Sequence, residues 1–260
     1  MYYFDYAATT PVAPEAAEAM VHALTRAFGN PSAQYPLGRE ARDAVAAQRA
    51  VIAQALGCDA GALYFTSCGT ESDNWAIRAA LHIGRHTGRH IITTAVEHSA
   101  VLEPCKALTQ EGYEVTYLQP DHAGRITADQ VEAALREDTA LVSIMAVNNE
   151  TGNVYPIAEI ARQLKARKSR ALLHTDAVQA FLKVPLHAQE DGADLISLSA
   201  HKIGGPKGVG ALYIAPALQS KMIPLLRGGG QEQGLRSGTE ATAQIAGFAK
   251  AVAQRADQLE

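Results

Sequence analysis

Apolar residues recur along this chain at two periods, and the switch between them predicts the fold. Ala17, Met20, Val21, Leu24 and Phe28 follow Pro14 at three- to four-residue steps, the face of a helix with proline in its first turn. Ala41, Val45, Ile52 and Leu56 repeat that spacing over 39–56 and meet Gly57, a helix stop. Beyond Gly57, short apolar runs at 63–66, 91–95, 115–118, 141–147, 172–175, 195–199 and 209–214 read as buried strands. Helical spacing separates most of them, at 71–83, 101–111, 127–136 and 157–168, and Thr127 with Gln130 predicts a capping box. This alternation predicts an α/β fold: a mostly parallel seven-stranded sheet with helices on both faces. Such a sheet binds ligands at the carboxyl ends of its strands.

Composition narrows the reading. With 260 residues and 47% hydrophobic content, the chain can bury a large α/β core. A formal charge of -4 supplies no positive field for nucleic acid or an anionic membrane surface, so neither is expected as a partner. The cluster Lys165, Arg167, Lys168 and Arg170 reads as a solvated last helical turn. No apolar run approaches the roughly 18 residues of a membrane span, and the start carries no signal-peptide pattern. Cys58, Cys68 and Cys105 lack disulfide-framework or metal-pair spacing, which suits a reducing, cytoplasmic setting. His82, His86 and His90 have a metal-like spacing, but Gly84 and Gly88 interrupt the helix it needs; solvated surface is the expectation.

The candidate chemistry follows the strands. Ser67-Cys68-Gly69-Thr70-Glu71 opens a helix whose free N–H groups suit a phosphate, although Thr70 also reads as a plain N-cap. His98 is either a satisfied polar residue or a flat surface for an aromatic ligand. Asn149, in the turn 148–152, could hydrogen-bond a ring substituent. Asp176, ending a buried strand with Gln179 three residues on, needs a partner such as a protonated ring nitrogen. Ser199, His201 and Lys202 enter a Gly/Pro-rich turn, where an isolated lysine is ordinarily solvated. Together these groups match what pyridoxal 5'-phosphate requires: phosphate cup, stacking ring, hydroxyl partner, acid for a pyridinium and amine for an aldehyde. No G-x-x-x-x-G-K-[ST] occurs, and Gly205, Gly208 and Gly210 precede a strand instead of opening a helix, which argues against a nucleotide fingerprint.

Eight segments, in order, carry a resemblance: D-Y-A-A-T-T-P-V (5–12), F-G-N-P-S (28–32), F-T-S-C-G-T-E-S-D-N (65–74), E-H-S-A-V (97–101), V-N-N-E-T-G (147–152), H-T-D-A-V-Q (174–179), S-A-H-K-I-G-G-P-K-G-V-G-A-L-Y (199–213) and G-G-G-Q-E-Q-G-L-R-S-G-T (228–239). In them the chain resembles the cysteine desulfurases of the iron–sulfur cluster assembly and nitrogen fixation type. These are class V aminotransferase-like enzymes of pyridoxal fold type I. The resemblance implies a Schiff-base lysine at Lys202, acting in catalysis with His98, which stacks on the cofactor ring. It implies Asp176 on the pyridinium nitrogen, Gln179 and Asn149 on the ring hydroxyl, and Gly69, Thr70, Ser199 and His201 on the phosphate. Thr239 would come from the partner subunit of a homodimer. Ala200 and Gly205 stand where the family often has glycine and tyrosine.

The implied reaction takes sulfur from L-cysteine, giving L-alanine and an enzyme persulfide that passes to an acceptor or scaffold protein. In the family the persulfide cysteine and the arginine for the substrate carboxylate lie in a C-terminal domain. The last helical pattern here, from a possible cap at Thr239 through Ile245, Phe248, Val252, Ala256 and Leu259, runs to Glu260 without a stop. The expectation is an N-terminal segment 1–14, a cofactor-binding large domain 15–250, and in 251–260 the start of a helix leading to a C-terminal small domain not included. Cys58, Cys68 and Cys105, in a turn, the phosphate cup and a helix, lack the reach sulfur transfer needs. Two alternatives stay open: another class V aminotransferase or lyase, and an inactive cofactor-binding scaffold.

Overall fold

The computed structural model describes residues 2–256. Seven strands form one sheet: β1 (Leu63–Thr66), β2 (His90–Thr94), β3 (Glu114–Leu118), β4 (Thr139–Ser143), β5 (Leu172–Asp176), β6 (Leu195–Ser199) and β7 (Gly210–Ile214). Their order is β1-β7-β6-β5-β4-β2-β3; β7 runs antiparallel to both neighbours and the other pairs are parallel. Because successive residues face opposite sides of a sheet, each continuous apolar run feeds two cores. Ile92, Val142, Leu173 and Ile196 pack on one face, while Ile91, Leu141, Leu195 and Leu212 pack on the other.

The helices are α1 (Pro14–Thr25), α2 (Pro36–Leu56), α3 (Gly69–Ile83), α4 (Ser99–Gln110), α5 (Ala128–Ala134), α6 (Ile157–Ala166), the single turns α7 (Ala188–Asp191) and α8 (Pro216–Gln219), and α9 (Thr242–Ala256). α3 lies across β4 to β7, and the predicted capping box forms at Thr127 and Gln130. α7 and α8 are too short to leave a periodic signal.

Four expectations change. The 141–147 run is strand only to Ser143: on the β5 side Ile144 and Ala146 still donate to the carbonyls of His174 and Asp176, but Met145 donates to the Glu97 carboxyl instead of to a neighbouring strand. α1 packs on α9 through Ala16, Met20 and Ala23, leaving Val21, Leu24 and Phe28 exposed; a Cβ on Gly247 would come within 2.7 Å of Met20, so the close approach needs glycine there. Thr239 is no cap, since α9 starts at Thr242; Leu259 and Glu260 lie outside the described residues. His90 is not solvated: it opens β2 buried, with its ring nitrogens 2.8 Å from the Thr139 and Thr116 hydroxyls.

The edge strand β1 is protected by a carboxylate. Glu232 accepts both Arg49 guanidinium bonds at 2.7 Å and the Phe65 N–H at 2.8 Å, tying the 228–238 loop to α2 and β1. Its side chain is only 3% exposed, so it depends on Arg49. Arg49→Ala strands that charge and should cost about 3–5 kcal/mol, read as a lower urea midpoint at unchanged m-value; a loss under about 1 kcal/mol would show that water reaches Glu232.

Candidate active site

The carboxyl ends of β4, β5 and β6 open into a cleft of about 420 Å³. Nine of the predicted site residues line it: Gly69, Thr70, His98, Asn149, Asp176, Gln179, Ser199, His201 and Lys202. Thr239 does not; it is exposed in the loop before α9.

Each wall has a local cause. α3 begins at Gly69 with Cys68 in the capping position and no side-chain cap, so Thr70 is the second helical residue and not its cap. Added at Gly69, a Cβ would sit 2.7 Å from Val178; at Gly210 it would sit 2.8 Å from the Cys68 backbone. Glycine at both positions lets the strand-to-helix turn approach the sheet. Glu71 braces this turn, accepting from the Ser67 N–H at 2.9 Å and from Arg236 at 2.7 Å. His98 caps α4: its Nδ1 accepts from the Ala100 N–H at 3.1 Å, which leaves Nε2 to carry the neutral ring's proton. The two adjacent asparagines divide their work. Asn148 is buried and builds the turn, accepting from the Glu150 and Thr151 N–H groups, while Asn149 lines the cleft.

Lys202 follows β6 after one tight turn, Ala200–Lys202. Its Nζ donates to the carbonyls of Ala7 and Ala8 at 2.6 and 2.9 Å. The Ala7 carbonyl also accepts from Gln179 at 2.8 Å, and Gln179 in turn accepts from Lys183 at 2.7 Å. Thr10 locks the same segment down by donating to the His201 carbonyl and accepting from the Gly204 N–H. Residues 5–10 thus form one wall of the cleft; Asp5, Ala7 and Ala8 line it although no single residue there signals a ligand. Ala200 and Gly205 face each other, for a Cβ at 205 would sit 2.8 Å from the Ala200 Cβ and from its carbonyl oxygen.

Burial sets the electrostatics. It lowers the Lys202 amine pKa, with Asp176 and Asp5 opposing, so the neutral amine is more accessible than for a solvated lysine. Burial and the cations Lys202, Lys207 and Lys183 push His201 down to about 4, leaving it neutral. The Asp176 carboxyl rises to about 7, first by burial and then by Asp73; its bond from the Val178 N–H pulls the other way. Burial takes the Cys58 and Cys105 thiols up to about 12, so neither is a ready nucleophile.

Sequence reasoning missed three buried groups around this floor. Glu97, His174 and Asp73 all stood in the family-like segments without a role, and Asp73, one helical turn past Gly69, lines the cleft. Only His174 left a signal, a polar residue inside an apolar strand run; Asp73 and Glu97 sit among polar neighbours that hide their burial.

Residues 2–258 match the Aminotransferase class-V family. The chain belongs to that family. This class-V chain is 48% identical over 254 residues to the cysteine desulfurase IscS of Shewanella piezotolerans, covering 96% of the chain and 62% of that protein. With IscS of Methanosarcina thermophila it shares 46% over 258 residues, covering 99% and 63%. The chain thus spans about 62% of the length of the curated relatives it matches. Among solved structures, a NifS-like protein superposes with a TM-score of 0.95 at 40% identity, covering 99% of this chain and 70% of that one. One titled "SspA in complex with cysteine" gives 0.92 at 42%, covering 97% and 72%. The class-V fold here is that of fold type I pyridoxal enzymes.

Glu97 offers a pH test. Burial raises its carboxyl to about 8 against the donors Met145 N–H and Thr94 hydroxyl. The folded protein therefore holds a proton that the unfolded chain releases near pH 4.5, and stability falls as pH rises from there to about 8. Glu97→Gln should flatten that decline by up to about 1.4 kcal/mol per pH unit, measured by urea unfolding across the window; an unchanged slope would mean Glu97 is ionised throughout.

Proposed function

We propose that this chain is the cofactor-binding part of a pyridoxal 5'-phosphate-dependent cysteine desulfurase, which converts L-cysteine to L-alanine and passes the sulfur to an enzyme cysteine. The observation that carries the reading is the convergence of a desolvated lysine and a buried carboxylate on one cleft that is also open to a helix N-terminus. The cleft fits the cofactor. The α3 N-terminus, stripped of a side-chain cap, has free N–H groups for a phosphate, with Thr70, Ser199 and His201 beside it. Asp176 accepts from one backbone N–H and keeps acceptor capacity for a protonated ring nitrogen. When bound, pyridoxal phosphate supplies an electron sink for the bonds at the substrate Cα.

The chain's own groups then have defined work. Lys202, its pKa lowered by burial, would hold the cofactor through its amine and is the base placed to move the substrate's Cα proton. His98, its Nδ1 held by the α4 cap, presents a fixed ring to stack on the cofactor and an Nε2–H toward the cleft. Asn149 and Gln179 offer side-chain amides for a ring hydroxyl; Gln179 would exchange its bond to the Ala7 carbonyl. Thr239, exposed and outside its own cleft, would reach the phosphate of a second subunit in a homodimer. None of the three cysteines suits the acceptor role, and the relatives' additional length is where we place that thiol. Sulfur would leave for an acceptor or scaffold protein of iron–sulfur cluster assembly, in the cytoplasm; among the described residues no helix is long and apolar enough to cross a membrane.

Borohydride reduction of the protein loaded with pyridoxal phosphate should leave one covalent adduct on the peptide carrying Lys202, and Lys202→Ala should abolish it. L-Cysteine added to the full-length protein should release L-alanine stoichiometrically with sulfur. An adduct at another lysine would remove Lys202 from the mechanism, while turnover that requires a keto acid would assign the site to aminotransfer.

A further inference from the structure

Two aspartates line the floor of the cleft; burial raises both carboxyls to about 7, and what differs between them is the set of donors each one meets. Asp176 accepts the Val178 N–H at 2.9 Å, and the basic groups around it are Lys202, His174 and His98. Each of these favours a carboxylate. Asp73, 1% exposed on α3, has an Oδ1 with no hydrogen-bond partner, and the Ser197 hydroxyl is the one group that pulls its carboxyl down against burial. Its nearest titratable neighbour is His174, with Nε2 at 3.5 Å.

That histidine does not serve as a cation. It is fully buried between two hydroxyls, Ser143 at 2.8 Å from Nδ1 and Ser197 at 3.0 Å from Nε2, and burial drives its pKa to about 4. The register explains the cluster: Ser143 pairs with His174 across β4 and β5, Asp176 pairs with Ser197 across β5 and β6, and α3 lies over these strands. Glu97, also buried nearby, adds no positive charge. A carboxylate at Asp73 would thus face a neutral ring, the single Ser197 hydroxyl and two other acids, whereas a carboxylic acid there can donate to that hydroxyl's oxygen.

We propose that Asp73 is a positioning residue for the cofactor's ring: it stays a neutral acid against His174 and Ser197, so that Asp176 is the single anion of the pair. The inference rests on the cleft being a pyridoxal phosphate site. Like-charged carboxyls sharing a floor cannot both ionise cheaply, and the pair divides one proton according to which member has donors. Asp73 thereby spares Asp176 a second adjacent negative charge without touching the cofactor.

The test has two arms. Without cofactor, Asp73 in the folded protein should keep a proton over roughly the interval from pH 4 to about 7, which the unfolded chain loses. The wild-type unfolding constant should therefore rise with pH more steeply than that of Asp73→Asn, by about tenfold per pH unit in that interval; equal slopes would overturn the proposal. With pyridoxal phosphate at pH 7, Asp73→Asn should bind it within about threefold of wild type and show the same visible spectrum, while Asp73→Ala, which leaves the His174–Ser197 pair without its neighbour, binds more weakly. A tenfold or greater loss in Asp73→Asn would mean that an anion at 73 serves the cofactor, and would sink the idea. If Asp73→Asn does not fold, Asp73→Ser, which keeps a hydroxyl donor, carries the same comparison. Failure of the wild-type protein to form the Lys202 adduct would instead remove the cofactor reading and leave the pH arm standing.

Discussion

A carboxyl group withdrawn from water must find a cation, enough donors or a proton, and this cleft floor withdraws three. Glu97 finds the Met145 N–H and the Thr94 hydroxyl, Asp176 finds the Val178 N–H and the neighbourhood of Lys202, and Asp73 finds only a neutral imidazole and a hydroxyl. The arrangement follows from the sheet. Parallel strands buried on both faces end together, and any polar side chain at those ends is both desolvated and aimed at a common space. The same desolvation that raises the acids lowers the Lys202 amine, so one physical cause readies the base while Asp176 relies on the Val178 N–H and its basic neighbours to stay an anion.

The other wall of the cleft is built from far away in the chain. Residues 5–10 cross to the turn after β6 and are held there by Thr10 on either side of the His201–Gly204 backbone, with the Ala7 and Ala8 carbonyls set against Lys202. These bonds join positions more than 190 residues apart. Lys202 therefore owes its restricted position to a segment that has no regular secondary structure of its own. A lysine on a glycine-rich turn becomes a directed amine only when that segment is in place.

Such a site costs the fold something. Buried acids holding protons make stability decline through neutral pH, and Asp73 and Thr175 each keep a buried oxygen without a partner. The remainder of the protein offsets this through two apolar layers and, at the sheet edge, the Arg49–Glu232 pair, where a buried carboxylate is fully matched by donors. Matched charge at the edge and unmatched charge on the floor mark the difference between structure and chemistry in this chain.

Much was legible in the sequence. Apolar runs of four to seven residues located all seven strands, since burial on both faces leaves an uninterrupted signal, and the residues just after those strands supplied nine members of the cleft. Local patterns carried this information: helix stops at Gly57, the capping box at Thr127, and the Gly/Pro-rich turn at Lys202. What only the tertiary structure decided depends on which elements meet. Val21, Leu24 and Phe28 look like a core stripe, yet α1 turns its alanine face to α9 because Gly247 admits a closer approach. The strap from Asp5 to Thr10, the pairing of Ala200 with Gly205, and the juxtaposition of Asp73 with His174 arise from contacts between distant segments. No spacing rule along one stretch encodes them, because hydrogen-bond partners and desolvation belong to the packed molecule and not to the local chain.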